Sequence, residues 1–173
     1  MRSPAQALPL DWGITHDLRP MTKEERSLDQ ARAQLEGIEQ WHRVSEWASR
    51  EGEPRELSIE DRKWLLDEMD WAADPDHAAV VEAIKDRVDE DPLEIQVRSD
   101  WHSLGDDPES AEFCILLCTG GPAVRIKGTL KDLEPDRCWL EHQDWFTPWT
   151  EAVIPDSAEA LLWYCSQFYW GEA

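Results

Sequence analysis

Residues 74–98 read DPDHAAVVEAIKDRVDEDPLEIQVR, and the hydrophobic period changes partway through this stretch. The first part predicts a helix with Asp74 as its cap and Pro75 at its first position. Its apolar stripe, at helical spacing, comprises Val80, Val81, Ile84 and Val88. Its acids, Asp76, Glu82, Asp86 and Asp89, fall largely away from that stripe. The pattern therefore predicts an amphipathic helix with an acidic solvent face.

The second part of the stretch predicts a strand. Leu93, Ile95 and Val97 alternate with polar residues directly after Asp91–Pro92. Strict alternation is typical of a strand with one buried face. The stretch thus places a helix-to-strand boundary near residue 91.

Upstream, two more helices are predicted from their start signals. Thr22 and Glu25 form a capping box, and Ser58 with Asp61 reads as a second cap. The first helical face, which extends towards Trp47, carries Leu28, Ala31, Leu35 and Ile38. Residues 1–21 have no periodic apolar pattern and are interpreted as an irregular lead-in.

Downstream, short apolar runs separated by turns predict a meander of strands. The runs are 93–98, 113–118, 124–128 and 137–143, and short turns favour antiparallel pairing. A closing helix near 157–169 is predicted from Asp156 and Glu159 as a capping pair and Gly171 as its stop. The expected fold is α+β: N-terminal helices, an antiparallel sheet of about four strands, and a C-terminal helix. The expected regions are 1–21 (lead-in), 22–90 (helical) and 91–173 (α+β domain).

The charge is strongly negative and concentrated. The chain has 38 Asp and Glu against 17 Lys and Arg, a formal net charge of −21 over 173 residues. Residues 67–112 alone hold 16 acids and 3 bases, or −13 of that total. Such a field repels nucleic acid and anionic lipid and attracts basic surfaces. The 11 Trp residues favour a packed protein over a disordered acidic chain.

Four cysteines and five histidines raise the question of metal or thiol chemistry. Cys114 and Cys118 are expected to share a strand face, and reduced thiols in a cytoplasmic protein are the favoured interpretation. A zinc site would draw on Cys114, Cys118, Cys138 and His142. A Cys118 nucleophile with His102 or His142 as its base is a further alternative. Neither alternative has the ligand spacing or orienting motif that would single it out, so no catalytic residue, metal or cofactor is assigned.

Two further segments have functional interpretations. Gly120–Gly121–Pro122 predicts a tight hairpin turn, with an anion-binding loop as the alternative. Residues 143–150 place Trp145, Phe146 and Trp149 around Pro148. These rings either cover the sheet edge or form an aromatic patch that anchors a partner.

The C-terminal half resembles a family of small uncharacterised proteins of bacterial phages, prophages and plasmids. The resemblance covers roughly residues 90–172. It rests on Asp91–Pro92–Leu93, Arg98–Ser99–Asp100–Trp101, Leu117–Cys118–Thr119–Gly120–Gly121–Pro122, Gln143–Asp144–Trp145, Thr147–Pro148–Trp149–Thr150, Gln167–Phe168–Tyr169 and Gly171–Glu172. It implies a mobile-element origin and a cytoplasmic setting in a bacterial host, but no reaction.

Charge, size and this resemblance together favour a non-enzymatic inhibitor. It would bind a basic surface of a host nucleic-acid-binding machine, such as a CRISPR surveillance complex, a restriction enzyme or a transcription factor, as a possible DNA mimic. The residues expected to bind the partner are Asp86, Asp89, Glu90, Asp106, Asp107, Glu109, Trp145 and Trp149. No direct binding of nucleic acid or membrane is expected. A small cytoplasmic enzyme that uses His142 and Asp144 or acids near Gly120–Gly121, and an antitoxin-like partner protein, remain the alternatives.

Overall fold

The computed structural model describes residues 19–50, 57–68, 76–106 and 109–171. The elements, in chain order, are α1 (Lys23–Ser49), α2 (Ile59–Glu68), α3 (His77–Glu90), β1 (Glu94–Ser99), β2 (Ser110–Cys118), β3 (Ala123–Lys131), β4 (Glu134–Gln143), β5 (Thr150–Glu151) and α4 (Ala158–Cys165). The strands form one antiparallel sheet in the order β1-β2-β3-β4-β5. The α+β prediction is confirmed, with a two-residue fifth strand in addition.

The predicted starts of the first two helices are confirmed. In α1, the Thr22 side chain accepts from the Glu25 N–H while the Glu25 carboxylate accepts from the Thr22 N–H. At α2, the Asp61 N–H donates to Ser58 Oγ at 3.0 Å. Arg43 of α1 pairs with the buried Asp61 carboxylate at 3.1 Å. This ion pair joins α2 to α1.

The start of α3 differs from the prediction. Its cap is Asp76, which accepts from the Ala78 N–H at 3.2 Å, and the helix begins at His77. Asp74 and Pro75, predicted as cap and first residue, lie outside the described residues. Both Asp74 and Asp76 are good caps by residue type, so sequence spacing alone did not separate them.

The closing helix is shorter than predicted. It begins after Ser157, whose side chain makes no capping bond, and ends at Cys165, well before Gly171. Asp156, predicted to cap together with Glu159, instead has a positive φ of 61°. The predicted capping pair is therefore wrong, because Asp156 belongs to the preceding turn.

The helices and the sheet share one hydrophobic core. Ala31, Leu35 and Ile38 of α1 pack with inward-facing sheet residues and with Leu161 and Tyr164 of α4. α1 lies over β3 and β4, and α4 lies over β4. The sheet residues buried beneath them include Phe113, Ile115, Val124, Ile126 and Leu140. The predicted helical region, 22–90, thus contributes to the same core as 91–173.

Strand β1 extends beyond this cover. Ile95 pairs with the buried Ile115 and Val97 with the buried Phe113, so their side chains face the helical side. Leu93, Ile95 and Val97 are nevertheless 59%, 42% and 37% exposed. The prediction of a half-buried strand is wrong in this respect, because the covering helices pack on β3 and β4.

Strand β2 contains an irregularity that separates two cysteines. Its register to β3 shifts between Leu116 and Cys118. Cys114 pairs with Lys127 on the outer face, whereas Cys118 packs against the helical core. The prediction that Cys114 and Cys118 share a face is wrong, because a bulge reverses the alternation.

Within the described residues, no helix is both long enough and apolar enough to cross a bilayer.

Candidate functional site

Four carboxylates form a stripe along α3, which we call the α3 acid stripe: Glu82, Asp86, Asp89 and Glu90. All four residues are exposed. At 100° per residue they fall within an arc of about 100°, on the side opposite the buried Val80, Ile84 and Val88. At 1.5 Å rise per residue they span about 12 Å, or about one carboxylate per 4 Å. The periodicity of the sequence predicted this face.

The stripe contributes nothing evident to helix stability. Within the described part of the chain, none of its four side chains takes part in an ion pair. Like charges three and four residues apart repel by tenths of a kcal/mol per pair. Asp89 and Glu90 also lie in the last turn, where the helix dipole disfavours anions. Repulsion between the stripe carboxylates and their interaction with the helix dipole therefore both destabilise α3.

The loop acids lie elsewhere. Asp106 and Glu109 are exposed in the connection between β1 and β2, whereas α3 ends where β1 begins. β1, a six-residue strand about 20 Å long, lies between the end of α3 and the start of this loop. Asp106 accepts from the Ser103 N–H at 3.1 Å, so it also stabilises its own loop. Asp107 lies outside the described residues.

Residues 144–147 form a turn with two exposed rings, which we call the aromatic turn. Trp145 is 57% exposed and Phe146 is 97% exposed with a φ of 64°. The Asp144 N–H donates to Thr147 Oγ1 at 3.0 Å, and the Thr147 N–H donates to the Asp144 carbonyl at 3.0 Å. The indole of Trp145 lies against Gly121, where any side chain would overlap it. The two rings are therefore exposed, while the hydrogen bonds between Asp144 and Thr147 fix the backbone that carries them.

The first turn of α1 also holds the aromatic turn. Lys23 Nζ donates to the Trp145 carbonyl at 2.9 Å and lies 5.6 Å from the centre of the Phe146 ring. Arg26 donates to the buried Asp144 carboxylate at 2.9 Å. The hydrogen bonds from Arg26 and from the Trp145 N–H hold the pKa of Asp144 below its usual value. Asp144 is thereby kept ionised as a structural anion.

Trp149, predicted as an anchor, is covered. The Arg125 guanidinium lies 4.1 Å from the centre of its ring, and Trp149 is only partly exposed. Arg125 is also paired with Glu141 at 2.6 Å. Phe146, rather than Trp149, is the second accessible ring beside Trp145.

The acid stripe and the aromatic turn occupy different parts of the surface. Arg26, near the start of α1, contacts the aromatic turn, whereas Trp41 stacks on Tyr164, which in turn binds Asp91 just after α3. The distance along α1 between residues 26 and 41 is about 22 Å. The described residues predicted to bind a partner therefore come from three parts of the chain: α3, the β1–β2 connection and the β4–β5 connection.

The side chains of the enzyme hypothesis have structural partners. His142 Nδ1 lies 2.8 Å from Ser27 Oγ, and the two residues are 3% and 1% exposed. The Ser27 hydroxyl donates to the Glu24 carbonyl at 3.1 Å, so it accepts from His142 instead of being activated by it. The cavity at Gly120–Gly121 measures about 140 Å³ and is lined by the already paired Asp144. The turn itself is confirmed as the β2–β3 hairpin.

The residues considered for zinc are divided by the sheet. Cys114 is on the outer face, whereas Cys118 and Cys138 pack against the core on the other side. In the described ranges, no three His, Cys, Asp or Glu side chains are placed to hold a metal ion. Burial raises the pKa of both Cys114 and Cys118, so neither is an activated thiolate.

Sequence reasoning missed a second exposed aromatic site. Trp101 and Leu104 are fully exposed in the loop after β1. Beside them lies a groove of about 720 Å³, lined among others by Arg98, Trp101 and Glu112. The available signal was a tryptophan set between Asp100 and His102, outside any apolar period.

No protein-family model, no curated protein and no solved structure is significantly similar to this chain.

Proposed function

We propose that this protein is a non-enzymatic inhibitor, encoded by a phage or another mobile element, that binds a basic surface of a host nucleic-acid-binding machine. The α3 acid stripe carries the proposal. Its four carboxylates face solvent without an ionic partner among the described residues, at a cost to the helix. Retaining such a stripe is explained if a basic partner supplies the missing cations.

The spacing of the stripe supports nucleic-acid mimicry. About one carboxylate per 4 Å is close to the charge density of one DNA strand, about one phosphate per 3.4 Å of helix axis. Carboxylate oxygens, like phosphate oxygens, accept from the forked donors of arginine. A groove built for a nucleic-acid backbone is therefore the chemical class of surface that fits.

Arginine use within the fold is consistent with this proposal. Every ion pair among the described residues uses an arginine, including Arg26 with Asp144 and Arg43 with Asp61. These guanidinium groups are neutralised within the protein. The α3 acid stripe thus meets solvent without a guanidinium partner from the described part of the fold.

The test compares two variants that each lose three negative charges. The first is Asp86→Asn/Asp89→Asn/Glu90→Gln in the stripe. The second is Glu36→Gln/Glu134→Gln/Glu151→Gln, which changes exposed acids on α1, β4 and β5. Each variant and the wild type is immobilised and exposed to bacterial host lysate, and the captured proteins are identified by mass spectrometry.

We expect the wild type and the second variant to retain a nucleic-acid-binding complex that the stripe variant loses. Binding of the purified complex should weaken steeply with salt, because the contact is between opposite charges. Equal capture of the same proteins by all three forms would refute the proposal.

A further inference from the structure

β1 forms an open edge of the sheet among the described strands. β1 is the first strand in the sheet order, so its outer backbone edge has no partner strand within the described residues. Natural edge strands are usually guarded by charged side chains, especially lysine, by proline, by a bulge or by an inward-pointing charge. Between residues 94 and 98 β1 has no lysine, proline or bulge; its two charges, Glu94 and Arg98, are opposite in sign, and its register to β2 shifts only at Arg98/Ser99.

An uncovered apolar row accompanies this open edge. Leu93, Ile95 and Val97 all face the helical side, and they stay 59%, 42% and 37% exposed because the described helices pack mainly on β3, β4 and one another. On the opposite face, Glu94, Gln96 and Arg98 point outward. In the described part of the chain, the outer backbone edge of β1 is therefore unpaired and one of its side-chain rows is largely exposed.

The order of residues in β1 makes it complementary to itself. If a second copy of β1 runs antiparallel with Gln96 opposite Gln96, then Ile95 lies opposite Val97 and Glu94 lies opposite Arg98. Each of these pairs occurs twice, once on either side of the two-fold axis. The apolar pairs fall on one face and the opposite charges on the other, so both kinds of cross-strand pair are favourable.

We propose that two copies of this chain associate through their β1 edges, which gives one continuous ten-stranded antiparallel sheet with its two-fold axis at Gln96. Such an interface is isologous, as a two-fold dimer requires. It satisfies the free backbone groups of both edges and brings Ile95 of each copy into contact with Val97 of the other. This inference is independent of the proposed binding of a host protein.

The loop after β1 extends the interface. In this register Ser99 of one copy lies opposite Leu93 of the other, so the exposed Trp101 follows close to the exposed Leu93 of the second copy. A six-residue strand pair alone is smaller than a standard interface. Two chains of net charge −21 also repel each other. We therefore expect a dissociation constant on the order of micromolar in moderate salt.

Charge exchange at the two ends of β1 tests the register. Glu94→Arg brings two guanidinium groups together in each cross-copy pair, and Arg98→Glu brings two carboxylates together there. Each variant alone should dimerise at least about tenfold more weakly than the wild type. An equimolar mixture of the two restores opposite charges in both pairs, and so does the double variant. Sedimentation equilibrium over a concentration series measures the wild type, the two single variants, their mixture and the double variant.

A matched control separates the interface from local effects, since Arg98 also pairs with Glu112 of its own chain. Glu112→Gln removes that internal partner and leaves the proposed cross-copy pairs intact, so it should change the dissociation constant by no more than about twofold. Thermal melts of each variant verify the fold. A wild type that stays monomeric up to about 1 mM would overturn the proposal. Failure of the mixture to recover dimerisation would overturn the register.

Discussion

The hydroxyl of Tyr164 donates a hydrogen bond of 2.7 Å to the carboxylate of Asp91. Tyr164 is fully buried in α4, and Asp91 is the residue directly after α3. This single bond ties the C-terminal helix to the junction at which the chain changes from helix to strand.

Removal of the hydroxyl should destabilise the fold. Tyr164→Phe deletes a buried hydrogen bond to a charged group, which typically contributes about 1.5–3 kcal/mol. We expect the free energy of unfolding, measured in urea, to fall by about 2 kcal/mol. Tyr169→Phe is the matched control, because Tyr169 is largely exposed and its change should stay within about 0.5 kcal/mol. Equal losses in both variants would contradict the assigned role of the Tyr164 hydroxyl.

Asp91 should make stability depend on pH in a definite direction. Burial raises the pKa of Asp91 above its usual value, although the Tyr164 bond opposes this. A raised pKa in the folded state means that Asp91 contributes more stability when protonated, and that this contribution is lost as pH rises through the folded pKa. Asp91→Asn mimics the neutral form and still accepts from Tyr164. Its stability relative to the wild type should therefore be greater at neutral pH than below about pH 4.

The comparison with the wild type at each pH cancels the titration of the other acids. Urea unfolding of both proteins across this range provides the measurement. A difference between them that does not vary with pH would show that Asp91 has the same pKa in the folded and unfolded states.

Two glycines should respond oppositely to alanine. A Cβ at Gly128 would overlap the Phe113 ring and the Arg137 carbonyl, so Gly128→Ala should cost about 1–3 kcal/mol or more. A Cβ at Gly37 in α1 has open space around it, so Gly37→Ala should stabilise by about 0.5–1 kcal/mol. Chemical denaturation of the wild type and of both variants measures the two changes in the free energy of unfolding. If Gly128→Ala caused no loss of stability, the Phe113 ring would not lie against Gly128 in the folded protein.

Arg26 should control the ionisation of Asp144. Because the Arg26 and Trp145 N–H bonds lower its pKa, Asp144 stabilises the fold above its unfolded pKa, and this contribution is lost as pH falls through the folded value. Arg26→Gln should raise the pKa of Asp144 towards its usual value in an NMR titration of the carboxyl carbons. Arg32→Gln, which removes the pair with exposed Asp29, should leave Asp144 unchanged.

The sequence predicted those features that depend on local pattern. The change of period at Asp91–Pro92 located the boundary between α3 and β1, and the Thr22–Glu25 box located the start of α1. Both signals arise from interactions within a few residues of chain. The acidic outer face of α3 was predictable for the same reason, since helical spacing alone separates Asp86 from Val88.

Features that depend on distant parts of the chain were not predictable. Alternation correctly placed Ile95 and Val97 on one face of the sheet. Their exposure could not be predicted, because it depends on the packing of α1 and α4 on β3 and β4 instead of on β1. The bulge between Leu116 and Cys118 is likewise set by pairing with β3. Among the predicted anchors, Trp149 is partly covered by Arg125 of β3, a contact between residues 24 positions apart in the chain.

The way in which α1 holds the aromatic turn has a thermodynamic consequence for any ligand. Flexible segments lose conformational entropy when they bind, and that loss subtracts from affinity. Phe146 sits in a backbone conformation already fixed by Thr147, by Arg26 through Asp144 and by Lys23. Most of this ordering therefore takes place during folding and not on binding. We expect the turn to keep its conformation when a ligand contacts the Phe146 ring, and we expect this contact to slow dissociation.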